Sequence, residues 1–256
     1  MRGQGIKRRL RSGETLIGSV LSLPSPDVAE IVARGGFDWL WIDTEHAPTG
    51  EEACQRILQA IDPWCAGLIR VAENRDFLIK RALETGCEGV IVPQVRSPDE
   101  AAAAVASCRY PPQGRRSVGA ARAHAWGRAF HEYLAAANEE ICVVVQAEHA
   151  DAVRNIDAIA AVPGLGAVMV GPYDLSASLG VPGRIDDPTV QEAIALVRDA
   201  CRSRGVPVGI FAGDAARARR CRAQGFQLIG MGTDVAYLCS AVDEALAAYR
   251  EQRAGG

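Results

Sequence analysis

Short apolar runs alternate with segments of helical period along nearly the whole chain. Runs of strand length, rich in β-branched residues, occupy residues 16–21, 39–42, 67–71, 89–92, 141–146, 167–170, 207–211 and 227–231. Between them apolar residues recur every three or four positions. That spacing predicts helices over residues 26–34, 50–61, 75–85, 98–108, 151–160, 188–204, 215–224 and 234–252. Asn74, Ser97 and Asp214 stand where a side-chain oxygen caps a helix start. Gly35, Gly86, Gly205 and Gly225 stand where helices end and left-handed backbone is wanted.

The strand at Ile141-Cys142-Val143-Val144-Val145 is apolar without alternation, the pattern of a strand buried on both faces of a parallel sheet. Eight β/α units with no break in composition predict a single (β/α)8 TIM barrel over residues 1–256. An open doubly wound sheet is the alternative. One connection, residues 111–140, is long, and carries Arg115, Arg116, Arg122, His124 and Trp126. Long connections in compact domains are usually functional. This one reads as a lid or subunit contact over the barrel mouth, or as an extra packing helix.

Composition narrows the partners. A chain of 256 residues suits one α/β barrel, and the net charge is 28 − 31 = −3 with no charged block, so neither nucleic acid nor a membrane surface is an expected partner. The basic cluster Lys7-Arg8-Arg9-Leu10-Arg11 reads as the solvated face of a short first helix. No apolar run approaches the roughly 20 residues of a membrane span. No apolar segment follows the first charges as a secretory signal requires, so a cytoplasmic location is expected. The eight cysteines are scattered without a C-x-x-C pair and read as small buried hydrophobes.

Active sites of (β/α)8 barrels lie at the C-terminal ends of the strands. After the second strand comes Ile42-Asp43-Thr44-Glu45-His46, and His46 is the natural general base there because imidazole titrates near neutral pH. Asp43 or Glu45 would orient it. The third strand ends in Arg70, whose planar fork suits a carboxylate or enolate oxygen, or a structural ion pair. The fifth ends in Gln146-Ala147-Glu148, with Gln146 and Glu148 on one face. The sixth leads to Gly171-Pro172-Tyr173-Asp174, where Asp174 begins a helical turn. Glu148 and Asp174, from adjacent strands, suit a hard divalent cation, with water and substrate filling the remaining positions. Backbone N–H groups after Asp174 are placed for a substrate carboxylate. Gly230-Met231-Gly232-Thr233-Asp234 resembles a phosphate-binding turn, although such a turn also serves simply to lead a strand into a helix. His124 reads as a lid residue and His149 as a surface residue.

Stabilising a carbanion beside a carbonyl takes a lysine Schiff base or a Lewis-acid metal. Lys7 and Lys80 are the only lysines, and neither is at a strand end. The lysine count therefore favours the metal.

Taken together, these segments resemble the HpcH/HpaI aldolases, the metal-dependent class II pyruvate aldolases. The resemblance rests on Asp43-Thr44-Glu45-His46-Ala47-Pro48, Arg70-Val71, Arg115-Arg116-Ser117-Val118-Gly119, Gln146-Ala147-Glu148 and Gly171-Pro172-Tyr173-Asp174-Leu175-Ser176. It implies reversible cleavage of a 4-hydroxy-2-oxo acid to pyruvate, or an analogue, and an aldehyde. It implies Glu148 and Asp174 as ligands of a divalent ion (Mg²⁺, Mn²⁺ or Co²⁺), and Gln146 with the Tyr173–Asp174 backbone as the 2-oxo acid site. Arg70 would stabilise the enolate oxygen and His46 would be the base. The family pairs that histidine with an aspartate, and Glu84 stands at the matching position. Tyr173 is bulkier than the residue many members carry and would narrow the site. The resemblance also implies a homohexamer with exchanged C-terminal helices. Alternatives on the same site are oxaloacetate decarboxylation, an acyl-CoA lyase with Arg115, Arg116 and Arg122 receiving the CoA, or a non-catalytic carboxylate-binding barrel.

Overall fold

The computed structural model describes residues 5–254. Eight parallel strands run β1 (Leu16–Leu21), β2 (Trp39–Asp43), β3 (Ala66–Arg70), β4 (Gly89–Val92), β5 (Cys142–Ala147), β6 (Ala167–Val170), β7 (Val208–Ala212) and β8 (Leu228–Thr233). Each pairs with the next, and β8 pairs back onto β1, so the sheet closes into the expected barrel. Closure explains the unbroken apolar runs. One side of every strand faces the barrel axis and the other faces the helices, so neither is wetted.

The apolar residues divide accordingly. Leu16, Trp39, Leu68, Ile91, Val144 and Met169 fill the barrel. A larger cluster, including Ile57, Leu83, Val105 and Val197, lies between strands and helices. Gly18 makes room for the interior packing, since a Cβ there would lie 2.4 Å from the Trp39 indole.

The helices are α1 (Ile6–Arg11), α2 (Pro26–Arg34), α3 (Glu51–Ile61), α4 (Asp76–Glu84), α5 (Pro98–Cys108), α6 (Phe130–Glu140), α7 (Ala150–Arg154), α8 (Ile156–Ala160), α9 (Pro172–Ser178), α10 (Pro188–Ser203), α11 (Ala215–Ala223) and α12 (Asp234–Ala254). Ser97 and Asp214 cap α5 and α11 as expected.

Several expectations are corrected. The N-cap of α4 is Arg75, while the Asn74 amide donates to the Glu100 carbonyl. Gly35 stays right-handed, and Gly36, one residue later, takes the left-handed turn at φ 97°. The helix expected over 151–160 is broken at Asn155 into α7 and α8. Lys7 is not on a solvated face. Helix α1 lies across the barrel floor and buries Ile6, Lys7 and Leu10, and desolvation there lowers the Lys7 pKa.

The long connection holds a 3-10 turn (Arg122–Gly127) followed by α6, so it is in part the extra helix. Arg115, Arg116 and Arg122 are engaged within the chain. Arg115 pairs with Asp76 at 2.7 Å, Arg116 with Glu84 at 2.8 Å, and Arg122 donates to the Thr85 carbonyl at 2.8 Å. His124 is buried and accepts from Gly127 N–H, closing its own turn. All eight cysteines are free thiols, and seven are buried.

Candidate active site

The β2–β3 register sets Asp43 directly beside Arg70 at the C-terminal barrel end. Arg70 grips both Asp43 oxygens, Nε to Oδ1 at 2.9 Å and Nη2 to Oδ2 at 2.7 Å. Its third nitrogen, Nη1, lies 3.0 Å from Glu45 Oε2, and its plane stacks over Trp41 at 4.9 Å. Burial alone would raise the Asp43 pKa, but the Arg70 hydrogen bonds and charge outweigh it and hold the carboxyl below its ordinary value. Glu45 goes the other way. Its burial exceeds the pull of Arg70 and His46, and its pKa is raised. Asp43 Oδ1 also accepts from the backbone N–H of Glu45 at 2.9 Å and of His46 at 3.4 Å, which fixes the turn presenting His46. The His46 ring is largely exposed and its Nε2 is 3.7 Å from Glu45 Oε2.

Across the mouth, β5 delivers Gln146 and, just past its end, Glu148, both buried. Gln146 Nε2 donates to Glu148 Oε2 at 2.7 Å. The other oxygen, Oε1, accepts from the Gln94 backbone at 2.8 Å and from its side-chain amide at 3.1 Å. Burial, aided by the charges of Asp174 and Glu45, pushes the Glu148 carboxyl up to about 7. Glycine at position 171 leaves room for this carboxylate, because a Cβ would lie 2.5 Å from Glu148 Oε2. Asp174 sits in the first turn of α9. Tyr173 is half exposed and its ring leans on Phe211 at 6.3 Å.

A cavity of about 320 Å³ joins these groups, with His46, Arg70, Gln146, Glu148, Tyr173 and Asp174 all in its wall. Six of the seven site residues expected from the sequence therefore meet at one place. Glu84 does not join them. It ends α4, lines a separate cleft with Lys80 and Arg122, and is the partner of buried Arg116. A buried guanidinium requires such a partner. Among the described residues the carboxylate beside His46 is Glu45. His149 caps α7 by accepting from Asp151 N–H. The Gly230–Asp234 turn is structural, for the Asp234 carboxylate accepts from the Ser22 and Leu23 backbones at 2.9 Å and ties β8 to the end of β1. Two further residues belong to the site, Gln94 through its bonds to Glu148 and Phe211 in the cavity wall. Gln94 follows the end of β4, so a search for polar residues at every strand end would have found it.

The residues fit a divalent cation. Gln146 Oε1 is buried without a hydrogen-bond partner. Glu148 is a buried acid crowded by two others, an arrangement a cation relieves. Among the described residues no set of three or more His, Cys, Asp or Glu side chains gathers around a point. Two carboxylates with the rest of the shell left to water and substrate are the ligand set Mg²⁺ and Mn²⁺ accept.

An acid pair, a buried arginine and an exposed histidine thus stand together at the mouth of a parallel barrel. Residues 17–241 match the family model described as HpcH/HpaI aldolase/citrate lyase. The chain is 41% identical over 247 residues to a 2-keto-3-deoxy-L-rhamnonate aldolase of Salmonella gallinarum, covering 95% of this chain and 92% of that protein. It is 42% identical over 251 residues to the protein of that name from Klebsiella pneumoniae, covering 97% and 94%. The crystal structure of an HpcH/HpaI aldolase/citrate lyase family protein from Burkholderia cenocepacia superposes with a TM-score of 0.92 at 42% identity, over 96% of this chain and 98% of that one. The chain belongs to the HpcH/HpaI aldolase/citrate lyase family, and it is a lyase of the aldolase class acting on a 2-oxo acid.

Proposed function

We propose that the chain reversibly cleaves a 4-hydroxy-2-oxo acid, of the 2-keto-3-deoxy sugar acid type, to pyruvate and a small uncharged aldehyde. The observation that carries this is the buried Gln146 oxygen left without a hydrogen-bond partner, on a side chain that lines one cavity with Glu148, Arg70 and His46. Glu148 and Asp174 would hold a divalent ion (Mg²⁺, Mn²⁺ or Co²⁺), which when bound supplies Lewis-acid polarisation of the 2-oxo acid carbonyl. Gln146, Tyr173 and Asp174 hold the acid. His46 takes the proton of the 4-hydroxyl, the C3–C4 bond breaks, and its electron pair moves to the carbonyl oxygen. Arg70 stabilises the charge arriving there. Protonation of C3 then gives pyruvate. His46 is exposed enough to exchange its proton with solvent, and Glu45 is the acid that orients it.

The aldehyde reading rests on charge and shape. Val20, Pro172, Tyr173 and Phe211 make an apolar wall, and Arg70, the cation in this cavity, is already engaged by Asp43 and Glu45. A second carboxylate on the aldehyde would meet acids rather than a partner. The acyl-CoA alternative loses its support, because Arg115, Arg116 and Arg122 are engaged by groups of their own chain.

A homohexamer with exchanged C-terminal helices is part of the proposal. Helix α12 presents Leu238, Val242, Leu246 and Tyr249 to solvent, an apolar stripe of a kind that marks an interface. Among the described residues no helix is long and apolar enough to cross a membrane, and eight free thiols suit a reducing, cytoplasmic setting.

The test is exchange of pyruvate methyl protons in D₂O, followed by NMR. Exchange is expected with Mg²⁺, Mn²⁺ or Co²⁺ and is abolished by a chelator. No exchange with any of the three ions would refute the reading.

A further inference from the structure

Gln94 has backbone that its side chain disfavours. Its φ is 54°, in the left-handed region where a residue with a Cβ is uncommon. Such strain persists where surrounding contacts hold it, and it concentrates at functional sites. Here the strained turn, just past β4, aims two donors of one residue at one atom. The backbone N–H and the side-chain Nε2 of Gln94 both donate to Glu148 Oε1, at 2.8 and 3.1 Å.

The orientation of the Gln94 amide is set by chemistry. Arg96 Nη2 lies 3.0 Å from Gln94 Oε1. A guanidinium only donates, so the amide oxygen must face Arg96 and the amide nitrogen must face Glu148.

A carboxylate has about four lone-pair sites, two on each oxygen. Gln94 takes both on Oε1. On Oε2, Gln146 takes one, at 2.7 Å. A Cβ at Gly171 would come within 2.5 Å of Oε2, so glycine at this position keeps that oxygen uncrowded. One lone pair remains, and it is on Oε2.

We propose that Gln94 is a positioning residue for the metal site: by holding Oε1 of Glu148 with two donors it leaves Oε2 as the oxygen that coordinates the cation. This rests on the metal reading above. Groups that orient a ligand from behind typically affect metal affinity by about 10–100-fold.

The experiment measures Mn²⁺ affinity of the intact protein without substrate, by the EPR signal of free Mn²⁺, alongside the apo Tm. Gln94→Met removes the amide but keeps the backbone donor and the side-chain length. Gln94→Gly also removes the amide and suits φ 54°, so it covers the case in which the methionine variant does not fold. Both are expected to bind Mn²⁺ about 10–100-fold more weakly, with the apo Tm of the glycine variant within about 3 °C of the wild type. A merely structural amide would give the reverse, a lowered Tm with Mn²⁺ affinity intact. Glu148→Ala sets the floor of the assay. Wild-type binding with variant affinities within about threefold of it would overturn the Gln94 role alone. A wild type no better than Glu148→Ala would overturn the metal reading, and the Gln94 role with it.

Discussion

Asp43→Asn isolates the charge pairing that organises this barrel mouth. The substitution keeps the size of the side chain and one oxygen able to cap the Glu45 and His46 N–H groups. It removes the charge opposite Arg70 and turns an NH₂ group toward guanidinium donors. Arg70 and Asp43 are both buried, and the pair is bidentate. Removing one partner of a buried pair costs about 3–5 kcal/mol, mainly because the other charge is left uncompensated. Glu45 remains 3.0 Å from Arg70 Nη1 and keeps part of the compensation, so the expected loss falls just below that range, at about 2–3 kcal/mol. Urea unfolding followed by circular dichroism measures it. The pH dependence provides an independent check. The folded-state pKa of Asp43 is held below its ordinary value. Its contribution is therefore fully present above about pH 4, the unfolded value, and is lost as pH falls through the lower folded value. The gap between wild type and Asp43→Asn should hold from pH 7 to pH 5 and narrow below about pH 4. A gap under about 0.5 kcal/mol at pH 7, the scatter of ordinary surface substitutions, or one that does not narrow in acid, would show that the pair does not carry this load.

Three further outcomes follow from the geometry. Gly171→Ala places a methyl 2.5 Å from Glu148 Oε2 and 3.0 Å from its Cβ, so Mn²⁺ affinity and D₂O exchange should both fall at least about tenfold; unchanged values in a calorimetric titration would refute the packing argument. Tyr173→Ala opens the wall shared with Phe211, and competition kinetics should show a shift toward bulkier aldehydes by about 10–200-fold, with D₂O exchange of pyruvate retained because the backbone N–H groups proposed to hold the acid are untouched. Leu238→Glu with Leu246→Glu puts charge on the exposed α12 stripe, and light scattering should then report a smaller assembly than the wild type; an unchanged mass would remove α12 from the interface.

The barrel was legible because its signals are local. The apolar run 141–145 has the pattern of a strand buried on both faces, and a glycine directly after four of the eight expected helices marks the return to the sheet. The departures are equally physical. Gly35 and Gly36 are adjacent and chemically identical, so composition did not say which takes φ 97°. Lys7 has a long aliphatic stem, and neighbouring arginines made its helix look solvated, yet the floor of a closed barrel needed a cover and α1 supplies it with Lys7 inside.

The site was legible to the extent that one rule, polar residues at strand ends, reaches it. That rule brought out His46, Arg70, Gln146, Glu148 and Asp174, which the fold does bring to one cavity. It says nothing of pairing, and pairing is where expectation and structure part. Glu84 matches the position of an aspartate beside the base, but a buried cation sets a stronger requirement than an exposed ring. Arg116 is inside the protein and takes Glu84, while His46, on the surface, has the Glu45 carboxylate 3.7 Å away, on a backbone fixed by the same Asp43 that holds Arg70. On the proposed reading, in which His46 is the base, the carboxylate beside it is the one that follows β2 rather than the one that ends α4. His46, Glu45, Asp43 and Arg70 form one hydrogen-bonded and ion-paired unit, so a substitution at Asp43 should disturb the proposed base and the proposed oxyanion partner together, and the two effects should not add.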